Sequence, residues 1–137
     1  MKCAICNRED ARHICLRCRR DVCDGCYDET LMLCRDCISF KVALEEDVRR
    51  RLDYFRRLAL NIRDHARASP TCARCPILRE MCLTLVKWIK DYDQLVRREL
   101  LVDVEKDLKQ VKTLVYRVAA EALIRQGLSL KLNDKLK

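Results

Sequence analysis

The sequence predicts a small metal-stabilised module followed by an all-α region folded as a long antiparallel helical hairpin. Three observations predict it. Eight of the eleven cysteines fall within residues 1–37 as four Cys-x2-Cys pairs. The chain has only two glycines and two prolines. Beyond the cysteines, apolar residues recur in steps of three and four, the period of one helical face.

The N-terminal pairs are Cys3/Cys6, Cys15/Cys18, Cys23/Cys26 and Cys34/Cys37. Disulfide-rich secreted domains are built on turns, and turns need Gly and Pro, which are scarce here. Cys3 follows Met1 and Lys2 directly, with no leader-like segment between. The expectation is therefore a reducing, cytoplasmic setting, where such pairs are metal ligands. No apolar run approaches the ~20 residues of a membrane span, so no membrane association is expected. Two Cys-x2-Cys pairs complete a closed tetrahedral zinc site of the structural kind. The four-residue gap between Cys18 and Cys23 is short for neighbouring pairs to share a metal. That favours an interleaved arrangement, with Cys3, Cys6, Cys23 and Cys26 on one zinc and Cys15, Cys18, Cys34 and Cys37 on the other. The sequential arrangement is the alternative.

This spacing, with the stretch Ala11–Cys26 (ARHICLRCRRDVCDGC), resembles the B-box zinc finger. The resemblance implies two cross-braced zincs and a helical coiled coil following them. The last pair departs from it, since the family commonly has histidines where Cys34 and Cys37 stand. The opening CAIC is similar to RING fingers, but the gap before Cys23 exceeds the usual RING spacing. The lipid-binding FYVE finger shares the Cys-x2-Cys-x4-Cys-x2-Cys core, and only Arg12 and His13 echo its basic motif. His13 reads as a surface or packing residue.

The finger occupies residues 1–38, the helical hairpin 39–127 and a tail 128–137. Residues 39–68 lack Gly and Pro and carry Val48, Leu52, Phe55, Ala59, Ile62 and Ala66 on one stripe. Ser69 and Pro70 end that helix. Pro76 suits the first turn of the next. Its stripe runs Leu78, Cys82, Leu85, Ile89, Tyr92, Val96, then slips in phase to Val104, Leu108, Val111, Val115, Val118, Ala122. The slip near Glu99 reads as a stutter in one long, bent helix, with a break between two helices as the alternative. Gly127 is the expected terminator. The tail alternates apolar and polar residues, as in a strand or a segment that orders on binding. At 1.5 Å per residue the two helices would measure about 45 Å and about 75 Å, so the second would overhang the first. Its stripe over 101–126 would need a cover: the finger, a second copy in a coiled-coil dimer, or another partner.

Cys72, Cys75 and Cys82 lie at and beyond the hairpin loop. Together with His65 they are candidate ligands for a third zinc pinning the hairpin. Three other readings compete. A Cys-x2-Cys at the end of a hairpin resembles the zinc hook of the long coiled-coil ATPases of DNA repair, where two chains share one metal. Three cysteines also suit an incompletely ligated iron–sulfur cluster. The plainest reading is a buried Cys82, a loose or disulfide-bonded Cys72/Cys75 pair and a surface histidine.

The chain holds 29 Lys/Arg against 21 Asp/Glu, with seven of each in residues 1–37, so the whole excess of +8 belongs to residues 38–137. Arg49, Arg50, Arg56, Arg63, Arg67, Arg97 and Arg98 are the candidate phosphate-contacting residues, since guanidinium grips phosphate bidentately. Aromatic residues are few, which argues against a stacking platform for single strands. No nucleophile–base pair, glycine-rich phosphate loop or carboxylate pair is present. The expectation is a non-enzyme without a small-molecule substrate. It would dock on an RNA-containing or ribosomal assembly through its basic helices. The alternatives are a protein–protein adaptor working through the finger and a homodimeric coiled coil, and a RING-like ubiquitin-type ligase.

Overall fold

A computed structural model of the chain describes residues 1–136, and the side chains of residues 1–126. The described chain forms two compact units, Met1–Glu46 and the residues from Asp47 onward. No helix among the described residues is long and apolar enough to cross a membrane.

The first unit is two minimal β-hairpins with loops shaped by metal-ligand spacing. Strand β1 (His13–Ile14) pairs antiparallel with β2 (Asp21–Val22), and β3 (Tyr27–Asp28) with β4 (Leu33–Cys34). A bridge between Lys2 and Asp10, with N–H bonds from Ala4 to Asp21 O and from Arg12 to Val22 O, lays the N-terminal segment beside β2. Its buried residues are six of the eight cysteines plus Cys-flanking Val22, with Ile5, Tyr27 and Leu33 packed against them. Val22 is the one non-cysteine in that buried set, which is too little apolar area to hold so small a fold.

Helix α1 (Arg35–Ala68) begins before the predicted residue 39, so Cys37 lies in its first turn. The predicted stripe is buried throughout, from Val48 at 0% exposed to Ala66 at 2%. After α1 comes a single turn, α2 (Pro70–Ala73), capped by Ser69 Oγ, which accepts from Cys72 N–H at 3.1 Å. Pro76 opens helix α3 (Pro76–Arg98) at its first position, where the missing N–H costs nothing.

The predicted second helix is two helices. α3 ends at Arg98, and α4 (Val102–Leu136) turns back to pack against it. Leu100 takes the left-handed conformation, φ 54°. Its N–H bonds to Arg97 O at 3.3 Å, and Leu101 N–H bonds to Val96 O at 3.0 Å. This is the Schellman pair of bonds, with Leu101 and Val96 both buried as its apolar clasp. A one-residue phase shift in the stripe therefore marks a reversal and not a stutter. Gly127 is not a stop: α4 runs through it to Leu136. One helical glycine costs only about 1 kcal/mol relative to alanine, which a long helix absorbs.

The helical unit is closed by contacts among α1, α3 and α4. Phe55 of α1 meets Trp88 and Tyr92 of α3, with ring centroids 5.7 and 5.4 Å away. Lys112 of α4 bonds Asp93 of α3 at 3.2 Å, and Arg67 of α1 pairs with Glu121 of α4 at 3.0 Å. These pairings run α3 antiparallel to both α1 and α4. The 104–122 stripe that needed a cover is buried within the chain, each residue at 3% exposure or less.

An L-residue in the left-handed region costs about 1–2 kcal/mol. Leu100 is also 67% exposed, so its side chain contributes little in return. Leu100→Asn, which tolerates that conformation, is expected to raise stability by about 0.5–1 kcal/mol. The midpoint of urea unfolding should rise, and a lower midpoint would show that Leu100 packs usefully.

Candidate metal centres

The two hairpins explain the ligand grouping. Cys15 and Cys18 occupy the loop that joins β1 to β2. Cys23 leaves the other end of that hairpin, beside the N-terminal segment carrying Cys3 and Cys6. Pairs two and three, though only four residues apart in sequence, are thus held at opposite ends of one hairpin. The sulfurs of Cys3, Cys6, Cys23 and Cys26 all lie within 4.8 Å of one another, as do those of Cys15, Cys18, Cys34 and Cys37. This is the interleaved grouping.

The first two pairs share a local turn. Asn7 N–H bonds to Cys3 O at 3.0 Å, and Arg19 N–H to Cys15 O at 2.8 Å. Asn7 and Arg19, each just after the second cysteine of its pair, have φ of 54° and 64°. That turn aims both sulfurs of a pair the same way.

The sulfur spacing fits a tetrahedral ion. Cys6 Sγ is 3.7 Å from Cys23 Sγ, and Cys18 Sγ is 3.7 Å from Cys34 Sγ. Four sulfurs around an ion at about 2.3 Å sit about 3.8 Å apart at the corners of a tetrahedron. All eight thiols are free and buried or half-buried. Each group is suited to hold one metal ion and leaves no open position for a water or substrate.

Without an ion, four thiolates this close cannot all be charged. Burial pushes Cys26 up to about 12, reinforced by its neighbours Cys23, Cys3 and Cys6. Cys37 is likewise pushed up to about 12 by burial and by Cys34, Cys15 and Cys18. Burial also opposes ionisation of Cys3, but N–H donors of Cys6, Cys23 and Ile5 outweigh it and hold Cys3 at about 6. Cys15 reaches about 6 against the same opposing burial, through N–H groups of Cys18, Cys34 and Arg17. A divalent ion relieves this conflict by displacing the retained protons.

At pH 7 Cys26 and Cys37 carry protons, so metal loading is expected to release at least two protons per chain. Acid competes with metal, and as pH falls through about 6 Cys3 and Cys15 also take up protons. Metal release should therefore steepen below about pH 6, as read by a chromophoric zinc indicator. A loss of metal independent of pH between 8 and 5 would contradict this.

A residue outside the cysteine pattern supports the second site. Arg20 donates from Nε to Cys18 Sγ at 3.2 Å and from Nη2 to Cys34 Sγ at 3.6 Å, while bonding Asp36 Oδ2 at 3.1 Å. The thiol and carboxylate partners push its ionisation still higher. Arg17 approaches Cys37 Sγ at 4.0 Å and stands 4.5 Å over the Phe40 ring. Such outer-shell donors orient thiolates and offset the negative charge of a four-thiolate site. Only the run of arginines between Cys15 and Cys23 hints at this in sequence. His13 stacks on Tyr27 at 4.2 Å and bonds Asp24, as a packing residue.

The third cluster does not assemble. Among the described residues no group of three or more ligands forms from His65, Cys72, Cys75 and Cys82. His65 is exposed, Cys72 and Cys75 are half-buried, and Cys82 is 1% exposed on the inward stripe of α3. Burial alone raises the Cys82 thiol, as for an apolar core residue.

The basic candidates are mostly engaged. Arg56 pairs with Asp53, Arg63 with Asp64, Arg67 with Glu121, Arg97 with Asp93 and Arg98 with Glu99, at 3.0–3.8 Å. Arg49 and Arg50 are exposed, whereas Arg56 and Arg63 are half-buried. Arg49, Arg56 and Arg63 therefore do not form a bare row of cations.

Comparison of the chain with protein-family models, curated proteins and solved structures finds no match.

Proposed function

We propose that the chain is a non-catalytic interaction protein whose N-terminal unit, held by two zinc ions, docks an acidic, apolar-bearing segment of a protein partner. The supporting observation is where large apolar side chains are left in water. Leu16, Leu31 and Met32 are 52%, 45% and 50% exposed. Leu16 N–H bonds to Met32 O at 3.1 Å, which joins the β1–β2 loop to the β3–β4 loop and brings these residues together. Both loops are fixed by the second metal site, so the surface is preorganised and little ordering entropy is lost on binding. Arg17, Arg19 and Arg35 are exposed close to these residues in sequence, against two acids, the exposed Glu29 and the half-buried Asp28, whose Oδ1 accepts from Leu31 N–H at 2.9 Å, so on balance the neighbourhood is basic and favours an acidic partner. The interleaved ligand grouping agrees with the cross-brace that the B-box resemblance implies. Sites of four thiolates cannot activate water, which is consistent with a binding role.

The RNA reading rests on the exposed Arg49–Arg51 run and the net charge of +8. Exposed ion pairs are worth only about 0–1 kcal/mol, so phosphate can compete for the paired arginines. The two readings separate in one experiment. A displayed peptide library is selected on the zinc-loaded chain, and RNA is titrated in parallel across a salt series. The proposal expects peptides with Asp/Glu flanking Leu, Ile or Phe, weakened at least tenfold by Leu16→Asp with Met32→Asp. Selection without such a consensus would overturn it, as would binding indifferent to those substitutions. Tight RNA binding that falls steeply with salt would return the assignment to the basic helices.

A further inference from the structure

The two four-sulfur groups are built alike but guarded differently. In each, a close sulfur contact joins the earlier cysteine pair to the later one: Cys6 Sγ to Cys23 Sγ at 3.7 Å, and Cys18 Sγ to Cys34 Sγ at 3.7 Å. Arg20 spans the second contact, donating to Cys18 Sγ at 3.2 Å and to Cys34 Sγ at 3.6 Å. Asp36 Oδ2 holds the same guanidinium at 3.1 Å. Arg17 reaches that group too, at Cys37 Sγ, 4.0 Å away. The first group relies on backbone instead, with Ile5 N–H bonded to Cys3 Sγ at 3.4 Å. Among the described residues no lysine or arginine side chain is hydrogen-bonded to a sulfur of the first group. The cations nearest it in sequence are turned to acids, Lys2 to Asp10 at 3.4 Å and Arg12 to Asp24 at 3.6 Å.

In a metal-loaded group every sulfur is already a thiolate. A neighbouring cation then no longer raises the thiolate fraction. It only weakens attack, because the sulfur must give up charge-assisted hydrogen bonds as its electron pair is used. Cys6 and Cys18 are both half-buried, so exposure does not separate the two groups, and the guanidinium of Arg20 does. Cys23 also lines an open depression of about 400 Å³ with Glu9, Asp10, Arg12, Asp24 and Gly25. Carboxylates outnumber the one cation there, which favours an uncharged reagent over an anion. We propose that Cys6 and Cys23 are a peroxide-reactive pair, which hydrogen peroxide converts to a disulfide with loss of the first metal ion. The Cys6 thiolate attacks one peroxide oxygen. An S–O bond forms, the O–O bond breaks, and the departing hydroxide takes a proton from solvent. The Cys23 thiolate then attacks the Cys6 sulfur, forming the S–S bond and expelling the second oxygen as hydroxide, which is protonated likewise. Each sulfur loses one electron, and both peroxide oxygens end as water. The ion keeps its divalent charge, and Cys3 and Cys26 alone are half of a tetrahedral set.

The test treats the zinc-loaded full chain, free of reductant, with sub-stoichiometric hydrogen peroxide. Released zinc is read with a chromophoric indicator, and disulfides are located by fragmentation mass spectrometry of peptides. The Cys6–Cys23 disulfide is expected to exceed any disulfide among Cys15, Cys18, Cys34 and Cys37 by about tenfold, with one zinc ion released for each. Arg20→Ala should bring oxidation of the two groups within about twofold of each other, since it strips the second group of its guard. Arg20→Lys keeps the charge without the two-sulfur fork and should fall between. Each variant is first shown to hold two zinc ions with native amide dispersion. If Arg20→Ala does not, the unaltered chain and Arg20→Lys still decide the matter. Equal oxidation of the two groups in the unaltered chain would overturn the proposal. So would a first disulfide within the second group, or one confined to Cys72 and Cys75 with both ions retained. A preference for Cys6–Cys23 that persists undiminished in folded Arg20→Ala would overturn the guarding role of Arg20 and the proposal with it.

Discussion

Cys23→Ser is expected to cost the N-terminal unit one metal ion and its fold. Cys23 is 3% exposed, and its sulfur lies 3.7 Å from that of Cys6 in the first four-sulfur group. Serine oxygen is a poor ligand at neutral pH, and its shorter bond to Cβ leaves it short of the position a thiolate would fill. The three remaining cysteines would hold an ion without a closed set. The unit cannot compensate by packing, because its buried residues other than cysteines reduce to Val22. Metal binding to structural zinc fingers supplies about 10–16 kcal/mol of apparent folding free energy. Removing one of two such sites exceeds what a small hydrophobic cluster returns. The expected outcome is one zinc ion per chain by elemental analysis, with collapse of amide dispersion for residues 1–34 in an NMR spectrum. Two retained ions with an unchanged spectrum would show that the first group is not a metal centre.

The ligand grouping was legible because covalent spacing constrains it. Cys18 and Cys23 are too close for their pairs to converge comfortably, and the β1–β2 hairpin resolves this by sending them to opposite ends. The helical stripes were legible for a similar reason: Val48 to Ala66 and Val104 to Ala122 repeat at a period only a helix satisfies. What failed to show were features whose cause is not the usual residue. Helix reversals favour glycine, but here Leu100 takes the left-handed position, stabilised by the burial of Leu101 on Val96. Gly127 carries the usual signal and does not stop α4. His65 and Cys82 have ligand chemistry, yet one faces solvent and the other the core. Arg20 looks like one more surface cation until the fold turns it onto Cys18 and Cys34.

The fate of the 104–122 stripe separates two pictures of the helical region, and Val111→Asp distinguishes them. In a two-helix hairpin the stripe overhangs and would be free to zip against a second copy. In the structure α4 folds back, and Val111 is 0% exposed among Val104, Leu108 and Val115, each at 2% or less. A carboxylate placed there meets no cation on the buried stripe, since no buried residue among those described is polar or charged. Burying it unpaired is expected to cost at least about 4 kcal/mol, against a total of roughly 5–15 kcal/mol for a domain of ordinary stability. The bundle should lose its cooperative thermal transition and most of its helical circular dichroism. If the stripe were instead a seam between chains, Val111→Asp would convert a dimer into a folded monomer with its helix content intact. An unfolded chain and a folded monomer are opposite results. The first follows from a core closed by the reversal at Leu100, because a core buried within one chain gives the charge no water to reach.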